Sequence, residues 1–130
     1  MYAVSMKILV ADPHPEVESA LRLIIGRIPG VTLVSEVGSL VQLLAQCAQA
    51  CPSLILFDLD LVHASRVHTD TAADPIRALR TLCPTARIVA MSSRFEAKQE
   101  ALTAGADGFI SKTDPPDEVV SGIARFLQNC

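Results

Sequence analysis

A chain of 130 residues, half of them hydrophobic, is long enough to bury one core and too short to build two domains. Its net charge of −3 and pI near 5.5 exclude the basic excess that follows a nucleic-acid backbone, so direct binding of DNA or RNA is not expected. We therefore expect one acidic domain over residues 1–130.

The sequence also argues against export and against a membrane span. Residues 1–5 carry no positive charge, whereas a secretory signal begins with a positively charged segment. The uncharged stretch over residues 37–57 is interrupted by glutamines, and its apolar positions fall on one helical face. We expect a cytoplasmic protein. Its four cysteines contain no CxxC pair and are expected to be free thiols: Cys47, Cys51, Cys83 and Cys130.

The first third of the chain predicts a strand, a helix and a second strand. Residues 8–11 form a continuous apolar run that ends on Asp12, which is typical of a strand covered on both faces. From Pro15 the apolar residues recur at helical spacing until residues 29–30, a Pro-Gly pair that stops the helix. Residues 31–37 are more polar, as an edge strand permits.

The next two elements are a capped helix and a buried strand. Ser39 and Gln42 form a capping-box pattern that starts the helix, and Pro52 ends that region. Residues 54–57 are again continuously apolar and predict a second buried strand. This strand ends on Asp58.

Residues 61–73 show no periodicity and predict a long loop. His63, His68, Asp70 and Asp74 could be read as metal ligands, but they lack compact ligand spacing. A solvated insertion is the better interpretation.

Helices and strands continue to alternate in the C-terminal half. The predicted elements are, in order, a helix from Asp74-Pro75, a strand over 87–91, a helix over 96–103 ended by Gly105, a strand over 108–110, and a helix from Asp114.

Five strands that alternate with five helices predict a doubly wound α/β fold with an open parallel sheet, because the connections are too short for anything but right-handed crossovers. Sites in this class lie beyond the carboxyl ends of the strands. Four of the five predicted strands lead into a polar residue there: Asp12, Asp58, Ser92 and Lys112.

This set of residues suits phosphoryl transfer to a carboxylate. Attack by an anion on a phosphoryl group requires a divalent metal, a cation and fixed hydrogen-bond donors. Asp58 could be the nucleophile, while Asp12, Asp58 and the backbone carbonyl of Asp60 could hold Mg²⁺. Lys112 would neutralise the phosphate and Ser92 would donate a hydrogen bond to it.

Four segments in this order resemble the receiver domains of two-component response regulators. They are KILVAD followed by His14-Pro15, LILFDLDL around Asp58, IVAMSS, and GADGFISK ending on Lys112. The resemblance extends from Lys7 to Leu127. It implies a flavodoxin-like receiver fold with strand order 2-1-3-4-5.

The resemblance also implies roles. Asp58 would be the phosphoacceptor, Asp12 an acidic-pocket residue, Ser92 the hydroxyl residue, Lys112 the cationic partner, and Phe109 the switch aromatic that turns inward on phosphorylation. Such a domain has no enzymatic activity beyond its own phosphorylation and dephosphorylation. Its partners would be a histidine kinase or phosphotransfer protein in a phosphorelay, and an effector domain or protein downstream; a homodimer is left open.

The chain departs from the family pattern at two places. The family usually has two adjacent acids after the first strand, whereas Pro13 stands at the second position and offers no side-chain oxygen to a metal. The loop after Asp58 lacks the usual Pro and Gly and is several residues longer. These departures favour an alternative, a pseudo-receiver that serves as a protein-interaction module without Mg²⁺ or phosphorylation. A small flavodoxin-like enzyme is a third reading, although no Gly-rich phosphate loop follows the first strand.

Overall fold

The computed structural model describes residues 6–64 and 73–128, and within these ranges the chain forms five strands and six helices. The strands are β1 (Met6–Ala11), β2 (Val31–Val37), β3 (Leu54–Asp58), β4 (Arg87–Ser92) and β5 (Gly108–Ser111). The helices are α1 (Pro15–Ile25), α2 (Leu40–Gln49), α3 (Asp60–Ala64), α4 (Ala73–Leu82), α5 (Ala97–Ala104) and α6 (Pro116–Gln128).

All strand pairs of the sheet are parallel, and the strand order is β2-β1-β3-β4-β5. The predicted doubly wound fold and its strand order are therefore confirmed. The more polar β2 lies at an edge, as its composition predicted. The carboxyl ends of β1 and β3 lie side by side in the middle of the sheet, and this arrangement positions the site described below.

Each face of the sheet carries its own hydrophobic core, because successive side chains of a strand point to opposite faces. One core packs β1 and β3 against α2, α4 and α5, and the other packs them against α1 and α6. The strand residues on the first face are Leu9, Ala11, Ile55 and Phe57; those on the second are Ile8, Val10, Leu54 and Leu56. Continuous apolar runs in β1 and β3 are thus explained by burial on both sides.

The capping pattern predicted for α2 is present. The backbone N–H of Gln42 donates to Ser39 Oγ at 3.2 Å. The Gln42 side chain accepts from the backbone N–H of Gly38 at 3.0 Å, one residue before the position a capping box would use. These bonds satisfy backbone donors at the start of the helix.

The prediction of an unbroken loop over residues 61–73 was wrong at both ends. Helix α3 begins at Asp60, and α4 begins at Ala73, one residue before the predicted start. Leu61 and Val62 are buried in the core beside α2 and α4, and five residues are too few to show a helical period in the sequence. Residues 65–72 lie outside the described parts, as do the side chains of the four residues that were weighed as metal ligands, His63, His68, Asp70 and Asp74.

The prediction of free thiols was also wrong for two cysteines. Cys51 and Cys83 form a disulfide with their Cα atoms 5.5 Å apart. Cys47 is free and buried, as its place on the inner face of α2 suggests, and Cys130 lies outside the described residues. The sequence did not indicate this pairing, because the two cysteines are 32 positions apart and meet only when α2 and α4 pack together.

None of the helices described is both long enough and apolar enough to cross a membrane.

Gly108 lies where α6 packs closely on β5. A Cβ atom at this position would overlap the ring of Phe126, whereas a Cβ at Gly122 of α6 would meet Ile110 at an ordinary 3.5 Å. We expect Gly108→Ala to lower the free energy of unfolding by about 1–3 kcal/mol through overpacking. Gly122→Ala, the control, should raise it by up to about 1 kcal/mol, because alanine favours a helix interior. Urea denaturation measures both, and equal effects would contradict this account of the β5–α6 contact.

Candidate functional site

The ends of three strands bring two carboxylates and one ammonium group together. Asp12 follows β1, Asp58 ends β3 and Lys112 follows β5. Both aspartates are fully buried, and the Lys112 side chain is only 13% exposed. The structure therefore joins three of the predicted site residues, which are separated by up to 100 positions in the sequence.

Lys112 lies between the two carboxylates. Its Nζ is 2.8 Å from Asp12 Oδ2 and in direct contact with Asp58 Oδ2. The approach to Asp12 is an ion pair without hydrogen-bond geometry, so the buried Oδ2 of Asp12 still lacks a hydrogen-bond partner. Two buried carboxylates share one cation, which leaves the cluster with an excess of negative charge when both are ionised.

Backbone amides hold the other oxygen of each carboxylate. Asp12 Oδ1 accepts from the N–H of His14 at 2.8 Å, and Asp58 Oδ1 accepts from the N–H of Asp60 at 2.7 Å. The backbone N–H of Lys112 donates to the carbonyl of Ser92 at 2.9 Å, which fixes the strand end that carries the ammonium group. The two Oδ2 atoms are thereby left facing Lys112.

Ser92 is buried at the end of β4. It directly follows Met91, the residue that pairs with Asp58 across the β3–β4 ladder. Its Oγ accepts from the backbone N–H of Arg94 at 3.0 Å, so the hydroxyl hydrogen remains as the donor that a phosphate would need. The serine is thus next to the Asp58 strand end.

Phe109 lies in β5, one residue after the close packing at Gly108. It is partly buried against the core beside α2, α4 and α5. Its switching role stays a prediction.

One contact in the site was not anticipated. His14 Nε2 lies 3.2 Å from Asp60 Oδ2, which joins the loop after β1 to the start of α3. Hydrogen bonding to Asp60 raises the pKa of His14 above its ordinary value. The His14 side chain makes no capping hydrogen bond to α1, although the residue occupies the N-cap position. Only its position two residues after Asp12 hinted at a place near the site.

Burial and charge oppose each other in this cluster. Burial raises the pKa of Asp58 to about 6, while Lys112 and the N–H of Asp60 partly offset the effect. Burial alone would lower the pKa of Lys112, but the two carboxylates outweigh it and raise that pKa. The ionised Asp58 is therefore costly to bury and depends on its cation.

We expect the stability of the metal-free protein to fall as pH rises from about 4 to about 6. The folded state binds the Asp58 proton more tightly than the unfolded state, whose pKa is near 3.8, so deprotonation favours unfolding across this window. Asp58→Asn removes the cost and should be more stable than wild type above pH 6, by on the order of 1–3 kcal/mol, but not below pH 4. Urea denaturation of both proteins in EDTA tests this. A difference independent of pH would refute it.

The oxygens at this site fit a divalent ion that keeps most of its water. Mg²⁺ is commonly held by one or two carboxylates and several waters. Asp12 Oδ2 is buried and pairs only with Lys112 among the described residues, so it could turn to a metal ion, and Asp58 and the backbone carbonyl of Asp60 could complete the protein's share. Pro13 adds nothing. Within residues 6–64 and 73–128 there is no cluster of three or more His, Cys, Asp or Glu side chains suited to a metal, so a fully protein-built cage is not found there.

Comparison with known proteins identifies the family of the chain. The family model of the response regulator receiver domain matches residues 8–124. The transcriptional activator protein ExaE of Pseudomonas putida is 33% identical over 124 residues, which are 94% of this chain and 55% of ExaE. The chain spans about half the length of the curated relatives it matches.

Solved structures show the same fold. A LuxR-family two-component response regulator from Aurantimonas sp. SI85-9A1 is 26% identical with a TM-score of 0.76, over 96% of this chain and 86% of that one. The isolated receiver domain of RcsB from Salmonella enterica serovar Typhimurium, solved with the phosphomimetic BeF₃⁻, has a TM-score of 0.84 at 18% identity, over 95% and 89% of the two chains. The chain therefore belongs to the response regulator receiver domains, a family of phosphorylation-based signalling modules.

Proposed function

We propose that Asp58 is the phosphoacceptor of this receiver domain. The observation that carries the proposal is the contact of its buried carboxylate with Lys112 at the carboxyl edge of the sheet. Asp58 Oδ1 is occupied by the N–H of Asp60, so Oδ2 is the oxygen free to react once Lys112 moves to the incoming phosphate. Lys112 and the backbone N–H of Asp60 both stabilise the ionised form of the Asp58 carboxylate.

Asp58, Lys112 and Ser92 would each act directly in the phosphoryl transfer. Asp58 Oδ2 forms a bond to phosphorus while the bond from phosphorus to the donor's imidazole nitrogen breaks, and that nitrogen keeps the electron pair and takes up a proton. Lys112 then pairs with a phosphoryl oxygen, and the Ser92 hydroxyl donates to another. Mg²⁺ held by Asp12, Asp58 and the Asp60 carbonyl would supply charge neutralisation on the phosphoryl oxygens.

We further propose the partners that this chemistry requires. The donor is a histidine kinase or a phosphotransfer protein, as membership of the receiver family implies. The output passes through Phe109 and the surface around β5 to an effector domain or protein. The names of the matched relatives, a transcriptional activator and nitrate/nitrite response regulators, support an effector that acts in transcription.

A direct test is to treat the protein with a small phosphodonor and follow its intact mass. We expect one added phosphoryl group with Mg²⁺, none with EDTA, and loss of the adduct in hydroxylamine, which cleaves acyl phosphates. No adduct at any Mg²⁺ concentration would contradict the proposal and favour a protein-interaction module.

Pro13 lowers the metal affinity that we propose, and restoring an acid there should raise it. Two unit charges about 4 Å apart interact by roughly 4 kcal/mol at an effective dielectric near 20, but desolvation cancels much of this. If about 1.4 kcal/mol survives, Pro13→Asp should bind Mg²⁺ about tenfold more tightly than wild type. Isothermal titration calorimetry measures the affinity.

Pro13→Ala is the matched control, because it removes the ring without adding a charge. A well-folded Pro13→Asp with the affinity of Pro13→Ala would mean that Asp12 and Asp58 do not form a metal pocket.

A further inference from the structure

The disulfide lies at the end of the sheet opposite the acidic site. Cys51 is between α2 and β3, and Cys83 follows α4 directly. The two residues are 32 positions apart, and the segment between them contains β3, whose last residue is Asp58. The bridge therefore links the helix layer on one face of the sheet to the start of the strand that carries Asp58.

The two cysteines differ in exposure. Cys51 is an exposed residue, whereas Cys83 is completely buried. A reagent in solution can reach the bridge from the Cys51 side, and exposed disulfides are the ones most readily exchanged. This asymmetry suits a pair in which Cys51 reacts with the outside and Cys83 completes or releases the bridge.

Cys47 is close by and does not suit this chemistry. It is 2% exposed, so an oxidant in solution does not reach it as it reaches Cys51, and burial raises the pKa of its thiol, which makes it a poor first nucleophile. Cys83 is also buried, but it reacts only in the second step and with the neighbouring Cys51, whose Cα lies 5.5 Å from its own. The backbone carbonyl of Cys47 lies 3.7 Å from Cys83 Sγ, so Cys47 is next to the disulfide but is not one of the two bonded cysteines. The three neighbouring cysteines are therefore one reactive pair and one inert thiol.

Helix α4 connects the bridge to the starts of β4 and β5. Arg80 of α4 donates to the carbonyl of Ala86 at 2.7 Å and to the carboxylate of Asp107 at 2.7 Å. Asp107 immediately precedes β5 and also accepts from the backbone N–H of Ile88 at 2.8 Å. Cys83 lies one residue after the end of α4, so the bridge anchors the end of the helix that is tied to β4 and β5.

We propose that Cys51 and Cys83 form a reversible redox site whose oxidant is a small-molecule disulfide of the glutathione class. The Cys51 thiolate attacks one sulfur of the oxidant, forms a mixed disulfide and releases one thiol. The Cys83 thiolate then attacks Cys51 Sγ and releases the second thiol. Two protein thiols lose two electrons and two protons in all, and the oxidant is reduced to two thiols. This site is independent of phosphorylation at Asp58.

The oxidised and reduced forms should differ in stability. Closing a 32-residue loop restricts the unfolded chain, so we expect the oxidised protein to melt about 5–10 °C above the reduced one. The backbone amides of α4 should also exchange more slowly with deuterium in the oxidised form.

The experiment uses the full chain with Cys130→Ser, which removes the terminal thiol. The protein is equilibrated in mixtures of reduced and oxidised glutathione, its free thiols are alkylated, and intact mass counts them. We expect two thiols to disappear together on oxidation and to return on reduction. In Cys51→Ser no intramolecular bridge and no melting shift should form, whereas Cys47→Ser should behave as its parent.

Three results would overturn the proposal: a parent protein that stays fully reduced in every mixture, a Cys51→Ser protein that retains the melting shift, or a shift lost in Cys47→Ser. Cys51 is exposed, so its serine variant tests the bridge without disturbing the core.

Discussion

Asp58→Asn protein treated with a phosphodonor and Mg²⁺ is expected to carry no phosphoryl group under conditions that fully label the wild type. The amide oxygen is a poor nucleophile and cannot form a stable acyl phosphate, so labelling should fall by at least a hundredfold, on the order seen when a reacting or stabilising group is removed. Intact-mass spectrometry measures the labelled fraction.

The matched control is Asp117→Asn, the same chemical change at a side chain that is 87% exposed on α6. It should label as wild type does. The loss in Asp58→Asn cannot come from unfolding, because removing this buried charge is expected to raise stability at neutral pH. Equal labelling of the wild type and Asp58→Asn would remove Asp58 from the role of phosphoacceptor.

Lys112→Ala should cost both stability and phosphorylation. Without its ammonium group the buried carboxylates of Asp12 and Asp58 have no cation, and breaking a buried ion pair on one side typically costs about 3–5 kcal/mol. The same loss removes the charge that would stabilise the phosphoryl group, which should reduce the labelling rate by about a hundredfold.

The stability loss should depend on conditions in a way that identifies its cause. It should be largest in EDTA above pH 6 and should shrink as pH falls through that value, because protonation of Asp58 removes the uncompensated charge. Added Mg²⁺ should recover part of it at neutral pH. Urea denaturation across pH gives the stability, and Lys112→Arg, which keeps the charge, is the control.

A Lys112→Ala protein with wild-type stability and labelling would show that the ammonium group serves neither the buried acids nor the phosphate. A stability loss that is the same at pH 5 and pH 8 would instead assign Lys112 a packing role through its hydrocarbon stem.

The parallel sheet and the edge at which the site forms were accessible from local sequence patterns, whereas the strand order followed only from the resemblance to receiver domains. The runs before Asp12 and Asp58 are apolar at every position, which requires cover on both faces and hence a parallel sheet between helices. Parallel strands bring their carboxyl ends to one edge, so polar residues after several strands had to meet there. The direct contacts of Lys112 with Asp12 and Asp58 bear this out for three residues.

The sequence by itself thus determined the layers of the fold, the edge that carries the site and the identity of its two buried acids and cation, because these depend on local hydrophobic patterns and on chain direction. Only the tertiary structure decided the contact of His14 with Asp60, the short helix α3 and the bridge between Cys51 and Cys83. The physical reason is that the disulfide and the His14–Asp60 contact join residues that are 32 and 46 positions apart and meet only when loops and helices pack. Helix α3 has five residues, too few to show a helical period in the sequence.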